Sequence, residues 1–139
     1  MAYEQNKAIA RKFIDELFNQ GKVDEVKNFV TSDIIYHGLE ELRGLDNFTK
    51  WLSEDRKTFP DMEVTIVEEI AEGNTVADRW TLKATQEGEF AGHPASHKKF
   101  EAHGVDIFHF EGDKIKEAWT IFDALAPALK LGIAEIKQP

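Results

Sequence analysis

Cysteine is absent from the sequence. That absence removes disulfides, thiolate metal sites and cysteine nucleophiles together, and leaves carboxylates, histidines, tyrosines and hydroxyls for any chemistry. Cationic residues are in short supply as well: 17 Lys and Arg stand against 26 Asp and Glu, a formal net charge of -9. Such a balance opposes contact with nucleic-acid phosphates or an anionic membrane surface, because each neutralised phosphate needs a cation on the contact face. There is no apolar run of about 18 residues to span a bilayer, and Met1 to Lys12 lacks the apolar stretch of a secretion signal, so a cytoplasmic protein is predicted. With 42% hydrophobic residues, nine glycines and four prolines over 139 residues, the composition is that of a globular chain. One domain spanning residues 1–139 accounts for that length.

The apolar pattern changes period along the chain. Ile9, Phe13 and Leu17, with Ala10, Ile14 and Phe18 one step round, predict an amphipathic helix that ends at Gly21. Val23, Val26, Phe29 and Val30 repeat the pattern briefly before a β-branched run, Ile34-Ile35-Tyr36-His37. After Gly44, the residues Leu45, Phe48, Trp51, Leu52 and Phe59 mark a further helix that must stop before Pro60. From Met62 the alternation becomes strand-like. Strands are predicted from Met62 to the Gly73-Asn74 turn, over Thr75 to Gln86, over Phe100 to Phe110 and over Lys114 to Phe122, with Glu87 to Lys99 as a loop. Ala124 to Leu131 reads as a terminal helix capped by Gly132. Helices followed by a meander of strands give an α+β domain with helices on one sheet face. The third long strand is apolar on both sides, Val105 and Ile107 on one and Phe108 and Phe110 on the other. One chain supplies helices for a single face, so the other is predicted to be buried in a homodimer.

Six stretches, in chain order, resemble the SnoaL-like polyketide cyclase and ester cyclase family of the nuclear transport factor 2-like superfamily. They are Asn6 to Gly21 (NKAIARKFIDELFNQG), Tyr36-His37, Phe59-Pro60-Asp61, Ala71 to Thr81 (AEGNTVADRWT), Gly88 to Ser96 (GEFAGHPAS) and Gly104 to Gly132 (GVDIFHFEGDKIKEAWTIFDALAPALKLG). The resemblance implies a cone-shaped, curved antiparallel sheet closed by N-terminal helices around a deep pocket, commonly dimerised through its outer sheet face. Some members of the family close polyketide rings by an intramolecular aldol reaction without metal or organic cofactor, and ketosteroid isomerases share the architecture. The function implied is cofactor-independent proton transfer on a small apolar carbonyl compound; the alternative is a non-catalytic binding protein of the same fold.

Asp106 is the first candidate. It interrupts Val105 and Ile107 and shares a strand face with Gly104, Phe108 and Phe110. Desolvation there favours the protonated carboxyl, which can donate a hydrogen bond to an enolate oxygen; the resemblance puts it near the acidic oxyanion-hole residue of ketosteroid isomerases. Its plain alternative is a structural aspartate. His37 matches a histidine frequent in the family and suits proton abstraction, though a histidine ending an apolar strand is commonly a core residue.

The family's cyclases use an acid near the end of the last strand, where Thr120 and Asp123 are the candidates. Regular pleating cannot turn both inward, and threonine cannot shuttle a proton at neutral pH. Asp123 has an alternative as a cap of the terminal helix. Arg79 and Trp80 fall on opposite faces of their strand, and which of them points inward stays open. Phe13, Ile14, Leu17, Tyr36, Trp51, Trp80, Phe108, Ala118 and Phe122 are assigned to the pocket wall or core. A metal site is not predicted: His93 and His97 flank a proline in a loop, while His103 and His109 lie too far apart along one strand face.

Overall fold

The computed structural model describes residues 2–137. Helix α1 (Ala2–Lys12) runs directly into a π-helical segment, Phe13–Asn19, whose Phe13, Ile14, Leu17 and Phe18 are all buried. The sequence pattern predicted a single helix here. Over two turns, apolar spacing does not separate α from π winding, and the wider π turn is what lets two adjacent pairs of side chains face inward together. Gly21, at φ 70°, closes the segment. A short 3-10 turn, Val23–Asn28, leads into β1 (Val30–His37), which starts four residues earlier than the β-branched run suggested. A three-residue strand, β2 (Glu41–Arg43), has no alternation in the sequence to announce it. Then follow α2 (Leu45–Thr58), β3 (Glu63–Glu72), β4 (Thr75–Thr85), β5 (Lys99–Glu111), β6 (Lys114–Phe122) and α3 (Leu125–Leu131).

The six strands form one curved, unclosed sheet in the order β2-β1-β6-β5-β4-β3. From β3 to β6 it is the antiparallel meander the turns dictate. The sheet is nevertheless mixed, since β1 lies parallel to β6, with Tyr36 beside Ala118 and His37 beside Trp119. No tight turn joins β1 to β6, so nothing local imposes an antiparallel approach. Register shifts after Ile66 in β3 and beside Phe110 in β5 bend the strands, and the bend curls the inner face around the helices.

Phe13 is the hub of the core. Its ring meets those of Phe108, Phe18, Phe48 and Phe29 at 5.4, 5.6, 6.1 and 6.2 Å. Polar groups pin the periphery. Asn19 pairs with β3 through both amide atoms, accepting from Val64 N at 2.6 Å and donating to Val64 O at 3.0 Å. Asp61 accepts from Thr85 N at 2.8 Å and Thr85 Oγ1 at 2.6 Å, fixing the corner after α2. Fully buried Gln86 organises the loop before β5: its Nε2 donates to the carbonyls of Gly88 and Pro94, and its Oε1 accepts from Ser96. The loop thereby delivers Phe90 against Phe59.

Gly104 shows how closely the inner face is fitted. A Cβ there would lie 2.5 Å from Trp80 Cζ2, 2.7 Å from Phe122 Cβ and 2.8 Å from Ile121 O. Gly104→Ala should lower unfolding stability by roughly 1–3 kcal/mol, the usual cost of overpacking. Urea denaturation checks this, and an unchanged midpoint would contradict the packing described.

Candidate functional site

Strand alternation puts Val76, Asp78, Trp80, Leu82 and Ala84 of β4 on the inner face. Across the sheet the register aligns four polar residues in a row: Glu69 on β3, Asp78 on β4, Asp106 on β5 and Thr120 on β6. At the Thr120 end the row opens into a cavity of about 530 Å³ between sheet, α2 and α3. Ile14, Phe18, Tyr36, Trp51, Trp80 and Phe122 wall it, together with Phe59 from the corner, Phe90 from the loop and Phe100 at the start of β5. Asp106, Asp55, Glu40, Thr120, the Tyr36 hydroxyl and the Trp80 indole N–H supply its side-chain polarity, and among the described residues no Lys, Arg or His lines it. A shallower groove beside Tyr3, Asn6, Gly73 and Gly112, about 690 Å³, is wider but opens on solvent and holds no buried ionisable side chain.

Asp106 is only 6% exposed. Burial pushes its carboxyl up to about 6, against the opposing pull of the Thr120 hydroxyl and the Trp80 indole N–H. Those two donors are near enough to favour the anion without forming hydrogen bonds of ordinary geometry; Asp106 Oδ1 and Trp80 Nε1 have no partner among the described residues. Tyr36 is buried beside them. Burial first, then the negative charge of Asp106, holds its phenol well above the ordinary value, while the Thr120 hydroxyl works the other way. Tyr36 is therefore a neutral donor at any physiological pH. Asp55, from the inner face of α2, is also raised to about 6, by burial opposed by the charge of Arg56. Arg56 turns away from the cavity and donates to the Phe18 carbonyl at 3.0 Å. Two carboxyls near neutrality and one phenol thus share an apolar space without a counter-cation.

The sequence candidates divide between this space and elsewhere. Asp106 and Thr120 are inside; Trp80 points inward and Arg79 outward, where it donates to Glu68 at 3.2 Å. Ile14, Tyr36, Trp51 and Phe122 line the cavity. Phe13, Leu17, Phe108 and Ala118 do not, being packed in the core beside it with 0–1% exposure. His37 does not reach Asp106. One step from Tyr36 along β1, it projects from the opposite sheet face, where Nε2 lies 2.7 Å from Glu117 Oε2, Nδ1 lies 3.4 Å from Glu41 Oε1, and the ring stacks on Trp119 at 5.1 Å. Asp123 is exposed beyond the end of β6, its Oδ1 accepting from Ala126 N at 3.2 Å in the first turn of α3. His103 and His109 lie on the outer face, the latter against Trp119, and His93 and His97 are exposed in the loop.

The SnoaL-like polyketide cyclase profile matches residues 8–131, nearly the whole described chain. The chain belongs to the SnoaL-like polyketide cyclase family. No curated protein matches it. Among solved structures it is similar to AclR from Streptomyces galilaeus, 23% identical with a TM-score of 0.85 over 96% of this chain and 99% of that one. It is also similar to a SnoaL-like polyketide cyclase from Agrobacterium tumefaciens, 23% identical with a TM-score of 0.78 over 91% and 98%. A Catenulispora acidiphila protein of ketosteroid isomerase-like fold, in complex with trimethylamine, matches at 12% identity and a TM-score of 0.76 over 89% and 92%. At such identities these likenesses establish the fold alone. Among the described residues, no helix is long and apolar enough to cross a membrane.

Two acids of this SnoaL-like domain escaped the sequence reading, and both had left a signal. Asp55 sits four residues after Trp51 and four before Phe59, on the apolar stripe of α2. Asp78 alternates with Val76 and Trp80 just as Asp106 alternates with Gly104 and Phe108. The raised carboxyl of Asp106 also predicts a stability effect. Because its folded value of about 6 lies above the ordinary 3.8, the unfolded chain releases this proton first, and stability falls as pH rises from about 4 through 6. Asp106→Asn, neutral at every pH, should be the more stable protein at pH 8 by on the order of 3 kcal/mol, the difference shrinking toward zero at pH 4. Paired denaturation curves at the two pH values measure it; a pH-independent difference would remove Asp106 as the titrating group.

Proposed function

We propose that this protein is a cofactor-independent enzyme that transfers a proton on an apolar carbonyl compound. The observation that carries the reading is a pair of carboxyls, buried Asp106 and half-buried Asp55, each raised to about 6, in one apolar cavity with a neutral phenol. A general acid or base works best when its pKa lies near the working pH. Near pH 6 a share of the molecules holds Asp106 protonated and Asp55 ionised, the state the reaction needs. Asp106 then donates, with Tyr36, to the substrate oxygen. Asp55 accepts the proton from the carbon next to the carbonyl, the C–H electrons become the enolate double bond, and the negative charge moves onto the oxygen held by the two donors. Returning the proton from Asp55 to a different carbon completes an isomerisation; alternatively, attack of the enolate carbon on a second carbonyl of the same molecule closes a ring, the first C=O re-forming and the new alkoxide taking the proton from Asp55. Thr120 positions Asp106 and Tyr36 but carries no exchangeable acid of its own. The acid-only lining disfavours ligands bearing a carboxylate or phosphate.

Deuterium incorporation into 2-tetralone, an apolar ketone with acidic α-protons, tests the assignment in deuterated water. Activity requires Asp55 ionised and Asp106 protonated, so kcat/KM should follow a bell centred near pH 6. Asp55→Asn should lower exchange by at least about 100-fold. Asp106→Asn keeps a neutral donor and should retain activity while losing the alkaline limb. Exchange indifferent to both Asp55→Asn and Asp106→Ala would defeat the proposal. A second reading, binding without turnover, draws on the same lining: acids and aromatic rings without a base suit an apolar cation, as cation–π contacts do, and the Catenulispora neighbour holds trimethylamine. Saturable binding of a hydrophobic amine, with no exchange of any ketone, would favour it.

We infer further that the protein is a homodimer joined through its outer sheet face. Ile35, Val105, Ile107, Trp119 and the 64% exposed Ile121 occupy neighbouring strands there, on the face opposite the helices. A second copy of the same apolar face is the complement that buries it. Light scattering should give twice the chain mass for the native protein and a monomer for Ile107→Lys; a monomeric native protein at micromolar concentration would refute this.

A further inference from the structure

Beyond the pocket carboxyl, the polar row continues to groups that the proposed reaction leaves unused. Asp78 is fully buried and stands directly opposite Asp106 on one side and Glu69 on the other. Neither of its oxygens, nor Glu69 Oε2, meets a hydrogen-bond donor among the described residues. Arg11 of α1 is the nearby cation, and it is engaged with the other Glu69 oxygen, Oε1. The charged groups facing Asp78 are therefore Glu69 from β3, Asp106 from β5 and Arg11 from α1. Like charges directly opposite across a sheet repel, and a buried carboxylate without partners keeps a large desolvation penalty. Two carboxyls confined together resolve this by holding one proton between them, which turns an unpartnered oxygen on each into a donor and an acceptor.

We propose that Asp78 and Glu69 share one proton at neutral pH, donated by Asp78 toward Glu69 Oε2, and that the neutral Asp78 is a positioning residue that leaves Asp106 as the inner carboxyl free to change its charge. Burial, the proposed hydrogen bond to Glu69, and then the charges of Glu69 and Asp106 push Asp78 up to about 9, with Arg11 pulling it down. Were Asp78 ionised, its charge beside Asp106 would oppose the ionisation of the pocket carboxyl. Glu69 with Arg11 at the edge of the sheet thus protects the electrostatic state of a group two strands away.

Infrared spectroscopy of the ligand-free protein labelled with carbon-13 aspartate gives the test. At pH 8 the groups near 6 are ionised, so a protonated aspartate C=O band should persist in the native protein, vanish with a midpoint near 9, and be missing from Asp78→Asn. Carbon-13 NMR titration of Asp106 should give the same midpoint in native protein and Asp78→Asn, within about half a pH unit, because one neutral group replaces another. A native protein without the band at pH 8 overturns the proposal, and so does a larger fall of the Asp106 midpoint in the variant, which would mean that a charge had been removed. Should Asp78→Asn fail to fold, the native infrared titration decides by itself. Neither readout needs turnover, so a failure here is distinct from a failure of the proton-transfer reading.

Discussion

Dehydration of carboxyl groups on an apolar sheet face is the constraint on which this architecture turns. Asp78 and Asp106 occupy positions where the alternation of β4 and β5 otherwise places Val76, Trp80, Phe108 and Phe110. Water is largely removed from both, with exposures of 0% and 6%. A cation in the same space would have fixed them as ordinary ion pairs with depressed pKa values. Instead the guanidiniums stay at the margins, Arg11 on Glu69 and Arg56 on the Phe18 carbonyl. Asp106, which lines the cavity, is left responsive to whatever fills it, since the solvation it still has is what an apolar ligand takes away.

Holding that arrangement requires a wall that does not collapse onto the acids. The curved sheet keeps its inner face concave, Gly104 lets the Trp80 indole approach β5 closely, and the Phe13 cluster fills the volume beside the cavity. Structural polar groups are satisfied locally. Asn19, Asp61 and Gln86 each use both side-chain ends or both oxygens on neighbouring backbone or hydroxyl groups. Among the described residues, the buried side-chain atoms without partners other than Thr31 Oγ1 are Glu69 Oε2, the Asp78 oxygens and Asp106 Oδ1, on the row that leads into the cavity, and Trp80 Nε1 beside it. The contrast separates polar residues that build the fold from those available to a ligand or a proton.

Much of this was legible in the sequence because period and turn chemistry are local. The helix from Leu45 to Thr58, the four long strands and the Gly132 cap follow from spacing and from Gly and Pro positions. Asp106 stood out as a charge on an apolar strand face. What local pattern could not supply was pairing at a distance: the parallel approach of β1 to β6 decides that Tyr36 faces the cavity while His37 faces Glu117. A histidine adjacent in sequence to a pocket residue is, on a strand, a residue of the other face. Asp55 and Asp78 were missed for a different reason. Single acids in charged stretches, SEDRK and VADRW, read as solvated until burial is known.

The relation between Thr120 and Asp106 ties the fold to the chemistry. The two stand directly opposite in the β5–β6 register, and the resemblance to polyketide cyclases makes an acid the familiar occupant near the end of this strand. A carboxylate at position 120 would add a fourth acid to a row that already holds Glu69, Asp78 and Asp106, and would oppose ionisation of Asp106 as Asp106 itself opposes that of Asp78. The hydroxyl does the reverse, stabilising the Asp106 anion and restraining the rise of both Asp106 and Tyr36. A hydroxyl at position 120 therefore keeps its cross-strand neighbour within reach of neutral pH. In the proposed reaction the proton is handled from β5 by Asp106, and the partner that completes the pair, Asp55, comes from α2.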